Sequence, residues 1–233
     1  MIGNIEPDGL RCNRIGVHKR VNGGKAAATR RNKPMAGRRQ FDEDETLERA
    51  LMCFWRNGCE GASLRDLEAA TGLNKSSLYN AYGSKAGLLE RCLERFSSRY
   101  TSEIFAALGQ RDIKAAIDAF TGALARRFER KDIPPGCLAT MAAMEEGGAG
   151  NEISQSVDRE MAGLKRQLFL RFEQAVSDGQ LPADTDSDAL ASLFLALTRG
   201  VAVLHRGSSD HASIASALKA AGALINNPPR KDN

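Results

Sequence analysis

The sequence predicts an all-α fold, and three observations carry that prediction. From Asp42 onward apolar side chains recur three and four positions apart, while strict alternation is nearly absent. Glycine and proline breaks divide the chain into helix-sized segments. The 233 residues, 42% hydrophobic and 27% charged, suffice for a substantial core.

Residues 1–40 stand apart from this pattern. They hold ten Lys/Arg against two Asp/Glu, leaving 23 against 27 in the remainder, so the net charge of +4 belongs to a basic N-terminal arm. The arm is rich in Gly and Asn and poor in periodic apolar residues, which predicts flexibility. It either adds phosphate contacts beside a DNA-binding domain or is an extension without a role; composition alone leaves both open. Met35, just before the first periodic segment, is a candidate alternative start.

The first helix opens at Asp42, a cap followed three residues later by Glu45, and turns Leu47, Ala50, Leu51, Phe54 and Trp55 to one face before Gly58 ends it. The second opens at Ser63, where Asp66 completes a capping box, carries Leu64, Leu67 and Ala70 inward, and stops at Gly72. The third restarts at Asn74 and presents Leu78 and Tyr82 to the same core. The fourth follows Ser84; its stripe of Leu88, Leu89, Cys92, Leu93 and Phe96 is expected to run on to Leu108.

Beyond Gly109 the helical segments are separated by Pro134-Pro135-Gly136, by Gly147-Gly148-Ala149-Gly150, by Leu181-Pro182 and by Gly207. Val157, Met161, Leu164, Leu168, Phe172 and Val176 form one narrow face of a long amphipathic helix. The next helix, about Asp186 to Arg206, is apolar on most sides. Such a helix is covered either by a partner subunit, the simpler solution, or by the rest of a monomeric bundle. Arg199 interrupts its longest apolar run, which argues against a membrane span. The N-terminus lacks a signal-peptide pattern, so a cytoplasmic location is expected.

The segment from Ser63 to Tyr82, SLRDLEAATGLNKSSLYNAY, has the pattern of a helix-turn-helix. Ala70 lets two helices approach closely, Gly72 takes the left-handed turn, and Leu73 plugs the corner between them. In that geometry the second helix enters the major groove of double-stranded DNA by its N-terminus. Lys75, Ser76, Ser77 and Asn80 lie opposite Leu78 and Tyr82 and suit base edges and backbone oxygens. Ser63, Tyr79 and Lys85 are placed for phosphates.

Gln40 to Phe96 resembles the TetR/AcrR family of bacterial transcriptional regulators. The resemblance rests on Phe54-Trp55-Arg56-Asn57-Gly58, on Ser63-Leu64-Arg65-Asp66-Leu67, and on Gly72-Leu73-x4-Leu78-Tyr79-x2-Tyr82-x2-Lys85-x2-Leu88. Tyr82 stands where Phe is more usual, and Ala81 and Gly83 replace bulkier or Pro-type neighbours. The resemblance implies an N-terminal three-helix helix-turn-helix DNA-binding domain, residues 41–100, plus a C-terminal helical ligand-binding and dimerisation domain, residues 101–227, with 228–233 as a tail. It implies a homodimeric repressor of a palindromic operator, with Val157 to Val176 and Asp186 to Arg206 at the dimer interface. The fourth helix would couple a small-molecule effector to DNA. Phe105, Phe120, Leu124, Met141, Met144, Phe169 and Phe172 are the candidate pocket residues in the region this architecture leaves for the effector.

Other chemistry finds little support. The chain has no G-x-S-x-G and no phosphate loop with Lys, so no enzyme activity and no cofactor are expected. Five scattered cysteines and three histidines make no metal-site spacing. Cys137, after Pro-Pro-Gly at a helix start, reads as a small buried packing residue, with a redox role as the less favoured option. The alternative overall reading is an all-α interaction or redox-sensing protein whose helix-turn-helix is structural.

Overall fold

The first four helices form where the capping signals put them. In this computed structural model, which describes residues 42–145, 152–207 and 211–231, helix α1 spans Glu43–Asn57, α2 Leu64–Thr71, α3 Lys75–Tyr82 and α4 Lys85–Phe96. The basic arm, the break at 147–150 and the last two residues lie outside the described residues. The Asp42 carboxylate accepts from the backbone N–H of Asp44 and Glu45 at 2.9 and 3.1 Å. The expected reciprocal bond from Glu45 does not form, because its carboxylate meets Arg49 one turn on. Ser63 and Asp66 do make the full capping box.

Leu47, Ala50, Leu51, Phe54 and Trp55 of α1 pack against Leu88, Leu89, Cys92, Leu93 and Phe96 of α4, and all ten are buried. Leu67 from α2 and Leu78 from α3 close the bottom of this core.

The stripe of the fourth helix does run on to Leu108, but not as one unbroken α-helix. After Phe96 the backbone widens into a π-helical turn at Ser97–Thr101, returns to α geometry as α5 at Ser102–Ala106, and tightens into a 3₁₀ turn at Ala107–Gly109. The inward residues Phe96, Tyr100, Ile104 and Leu108 step by four, and in a regular α-helix each such step drifts about 40° around the axis. A wider turn cancels that drift and keeps all four on the core side.

The C-terminal part comprises α6 at Ile113–Glu129, α7 at Leu138–Glu145, α8 at Glu152–Ser177, α9 at Ser187–Gly207 and α10 at His211–Ala223. Helices α8 and α9 pack along each other, and α10 covers α6 and α9. By length and composition α9 would pass for a membrane span, with a mean hydropathy of 1.5 in its most apolar stretch. Here Leu190, Phe194 and Val201 are buried in the bundle, and Arg199 donates through Nη1 to Thr140 Oγ1 at 3.2 Å. Residues 229–231, within the expected tail, pair antiparallel with 184–186: Asp186 N–H donates to Pro229 O, and Lys231 N–H to Asp184 O, both at 2.8 Å.

His205, near the end of α9, joins this bundle to the loop before α7: its Nδ1 accepts the Gly136 N–H at 3.0 Å. That bond requires a neutral ring, and burial, with the charges of His211 and Arg127, pushes its pKa below the usual 6.5. The unfolded chain therefore binds this proton more readily than the folded one. The contribution of His205 to stability should be complete above about pH 6.5 and decline as pH falls below it. Urea unfolding at about pH 7.5 and 5.5 should show a smaller acid loss in His205→Asn, whose Oδ1 keeps an acceptor without titrating. An equal acid loss in both proteins would refute this.

Candidate nucleic-acid interface and internal cavity

The α2–α3 turn has the geometry the spacing predicts. Gly72 adopts φ +72°, and its N–H donates to Glu68 O at 2.9 Å, closing α2. Thr71 Oγ1 donates to Leu67 O at 2.7 Å and accepts the Leu73 N–H at 3.3 Å, so one hydroxyl helps shape the corner. Asn74 caps α3 by accepting from Ser77 N–H at 2.9 Å and from Ser76 Oγ at 2.8 Å. The Lys75 N–H donates to the Glu68 carboxylate, tying α3 back to α2.

This arrangement sorts the α3 side chains. Leu78 is 1% exposed, whereas Lys75, Ser76 and Asn80 are exposed and Ser77 is half-buried. Tyr79 is half-buried against the core, with the Lys75 ammonium 5.5 Å from its ring centroid. Two of the residues assigned to phosphates already have partners. Ser63 Oγ donates to Asp66 Oδ2 at 2.6 Å, and Lys85 Nζ donates to Glu60 O at 3.2 Å.

The loop carrying Glu60 is held from the C-terminal part. Glu60 N–H donates to Glu145 Oε2 at 2.8 Å. Arg206, on α9, donates to Trp55 O at 3.1 Å and to Arg56 O at 2.8 Å, a cation on the C-terminal carbonyls of α1. Neither residue stands out in the sequence, because each pairs with backbone more than 80 positions away.

A small cavity of about 40 Å³ lies between α5, α6, α8 and α9. Of the seven expected pocket residues, Phe105, Phe120 and Leu124 line it. The other four lie elsewhere. Met141 and Met144 line a separate groove between α7, α9 and the end of α1, and Met144 is 65% exposed. Phe172 is buried two turns along α8 from Leu164, which does line the cavity, and packs on Phe194 with ring centroids 5.6 Å apart. Phe169 lines neither space, since five residues from Leu164 puts it on another face of α8.

Three charged residues missed in the sequence share the cavity wall: Arg127, Arg199 and Glu160. Arg127 is 8% exposed, and its guanidinium lies 5.5, 5.1 and 5.4 Å from the ring centroids of Trp55, Phe96 and Phe128. Its Nη2 donates to Gly136 O at 3.2 Å, while Nε has no partner; Arg199 Nε is likewise buried and unpartnered. Burial pushes Arg127 below its ordinary pKa and Glu160 above its own. Cys137, directly before α7, is buried as expected, with Arg199 Nη1 donating to Sγ at 3.6 Å. Burial pushes its thiol up, but the charges of Arg127 and Arg199 and hydrogen bonds at Thr140 bring it below its usual value.

Residues 47–92 match the family model of tetR-family bacterial regulatory proteins, and residues 109–221 match the tetracyclin repressor-like C-terminal domain. The HTH-type transcriptional repressor ComR of Escherichia coli is 27% identical over 189 residues, covering 79% of this chain and 88% of ComR. A cysteine-substituted form of the TetR family regulator CifR, solved with 26-base-pair operator DNA, is 28% identical with a TM-score of 0.72, covering 82% of this chain and 99% of that one. A putative TetR regulator from Rhodococcus sp. RHA1 is 30% identical with a TM-score of 0.52, covering 82% of this chain and all of that one.

Tyr82, at the rear of α3, places its Oη in the core without a hydrogen-bond partner, and burial pushes the phenol up to about 12. Removing a buried, unpaired hydroxyl removes its desolvation cost. Tyr82→Phe should therefore raise unfolding stability by about 1 kcal/mol, seen as a higher urea midpoint with unchanged slope. A lower midpoint would show that the hydroxyl is satisfied in solution.

Proposed function

The chain belongs to the tetR family of bacterial regulatory proteins, and from that premise we propose that it is a homodimeric, cytoplasmic repressor released from a palindromic operator by a small-molecule effector. The observation that carries the proposal is the sorting of α3: Leu78 is locked into the core while Lys75, Ser76 and Asn80 face outward from a capped helix N-terminus. A helix so presented fits the major groove, with Lys75 toward guanine or phosphate and Asn80 toward adenine. Ser77 and Tyr79 flank that surface. Ser63 and Lys85 act at phosphates by exchanging their intramolecular partners for DNA oxygens.

Residues 41–100 serve as the DNA-binding part and 101–227 as the effector-binding and dimerisation part. Leu170 on α8 and Leu193 and Leu204 on α9 are 49%, 45% and 49% exposed, which supports a four-helix dimer interface. Release is a difference of affinities. DNA selects dimers whose recognition helices are about 34–36 Å apart, and a ligand in the cavity selects another spacing. Helix α4, with its π turn and α5, links Lys85 at one end to the cavity residues Thr101 and Phe105 at the other.

Mobility-shift assays test the DNA reading. Binding to a near-palindrome should weaken steeply with salt. Lys85→Ala should weaken all sequences alike, whereas Lys75→Ala or Asn80→Ala should blur base preference at about 1–3 kcal/mol per lost contact. An unchanged preference in both latter variants removes them from base readout, and no preference for any fragment in a random-site selection removes the regulator reading. Light scattering should give twice the 25.2 kDa of one chain; a monomer mass would refute the dimer.

A further inference from the structure

We propose that the cavity between α5, α6, α8 and α9 takes a small monocarboxylate with a short apolar body, its carboxylate held by Arg127 and Arg199. The proposal deepens the effector reading above and rests on it for its regulatory meaning. Two guanidiniums reach this wall against the single carboxylate of Glu160, so arginines outnumber carboxylates in the lining. Arginine stays protonated in proteins, so these charges cannot be discharged by losing a proton. A buried charge left without a counter-ion is costly, and a bound anion offsets that cost. Both Nε atoms are buried without a hydrogen-bond partner, and a planar carboxylate accepts from such groups in the plane of the guanidinium.

The rest of the wall limits the ligand. Ile104, Phe105, Phe120, Leu124 and Leu164 offer apolar contact. The volume of about 40 Å³ is room for a few waters, so a compact body fits where a large one does not. A phosphate, with more charge and no apolar part, matches neither feature. The position also provides a reporter. Arg127 lies over Trp55, the single tryptophan of the chain, so a carboxylate drawn to the guanidinium alters the surroundings of the only indole.

The experiment titrates full-length protein with acetate, butyrate and benzoate, with butyramide and benzamide as uncharged counterparts and inorganic phosphate as the anion control, at constant pH and ionic strength. The expected result is a saturable change in Trp55 emission and a rise in Tm with acetate or butyrate, and neither with benzoate, whose ring exceeds the cavity, nor with the amides or phosphate. Arg199→Met, which leaves the Trp55 contacts in place, should weaken butyrate about 10- to 100-fold, the effect of a lost charge-assisted hydrogen bond. The comparison of acids with amides uses the unmodified protein and so survives misfolding of any variant. Amides acting as well as acids, phosphate or benzoate acting as well as butyrate, or no response to acetate or butyrate overturns the proposal. Butyrate that binds but leaves operator binding unchanged in a mobility shift upholds the anion site and overturns the effector reading.

Discussion

The structure turns on one buried charge. The Arg127 guanidinium comes from α6 and lies against Trp55 of α1, Phe96 of α4 and Phe128 of its own helix. Withdrawing it from water costs several kcal/mol, and the three aromatic faces with the Gly136 carbonyl return part of that cost. Because these partners sit on separate elements, the guanidinium joins α6 to both α1 and α4.

The π turn at Ser97–Thr101 belongs to the same joint. It lets Tyr100 and Thr101, adjacent in the chain, both bury, with Thr101 Oγ1 bonded to Ser97 O at 2.8 Å and Tyr100 Oη bonded to the Glu48 carboxylate of α1. Arg95, one residue before Phe96, holds Glu48 at 2.7 Å and also pairs with Asp44. Two helices are thus clamped on the polar side just where the backbone departs from α geometry. Below this clamp, α4 meets α3; above it, the helix borders the cavity.

The helix-turn-helix was legible because its determinants are local. Gly72 needs a positive φ within its own turn, Asn74 reaches the Ser76 hydroxyl and the Ser77 N–H two and three residues on, and Leu67 and Leu78 are eleven positions apart. The capping box at Ser63 was readable for the same reason, while the one expected at Asp42 lost its second half to an equally local competitor, Arg49. The cavity was legible only in part. Phe105, Phe120 and Leu124 lie on α5 and α6, which border it, whereas Met144 and Phe172 sit at another height or face of their helices. The apolar stripe on α8 identified which residues turn inward and not which neighbour each would meet.

By itself the sequence determined the helical periodicity, the breaks, the caps and the outward polar face of α3, since each depends on residues within a few turns of one another. The tertiary structure alone decided that Lys85 begins with an intramolecular partner, that Arg206 and Glu145 brace the N-terminal helices, and that Arg127, Arg199 and Glu160 share one cavity wall. Those groups are tens to more than a hundred residues apart, and a charge in an amphipathic helix reads as a solvated side chain until packing removes its water. What makes them important is desolvation, and desolvation depends on the neighbours that other segments supply.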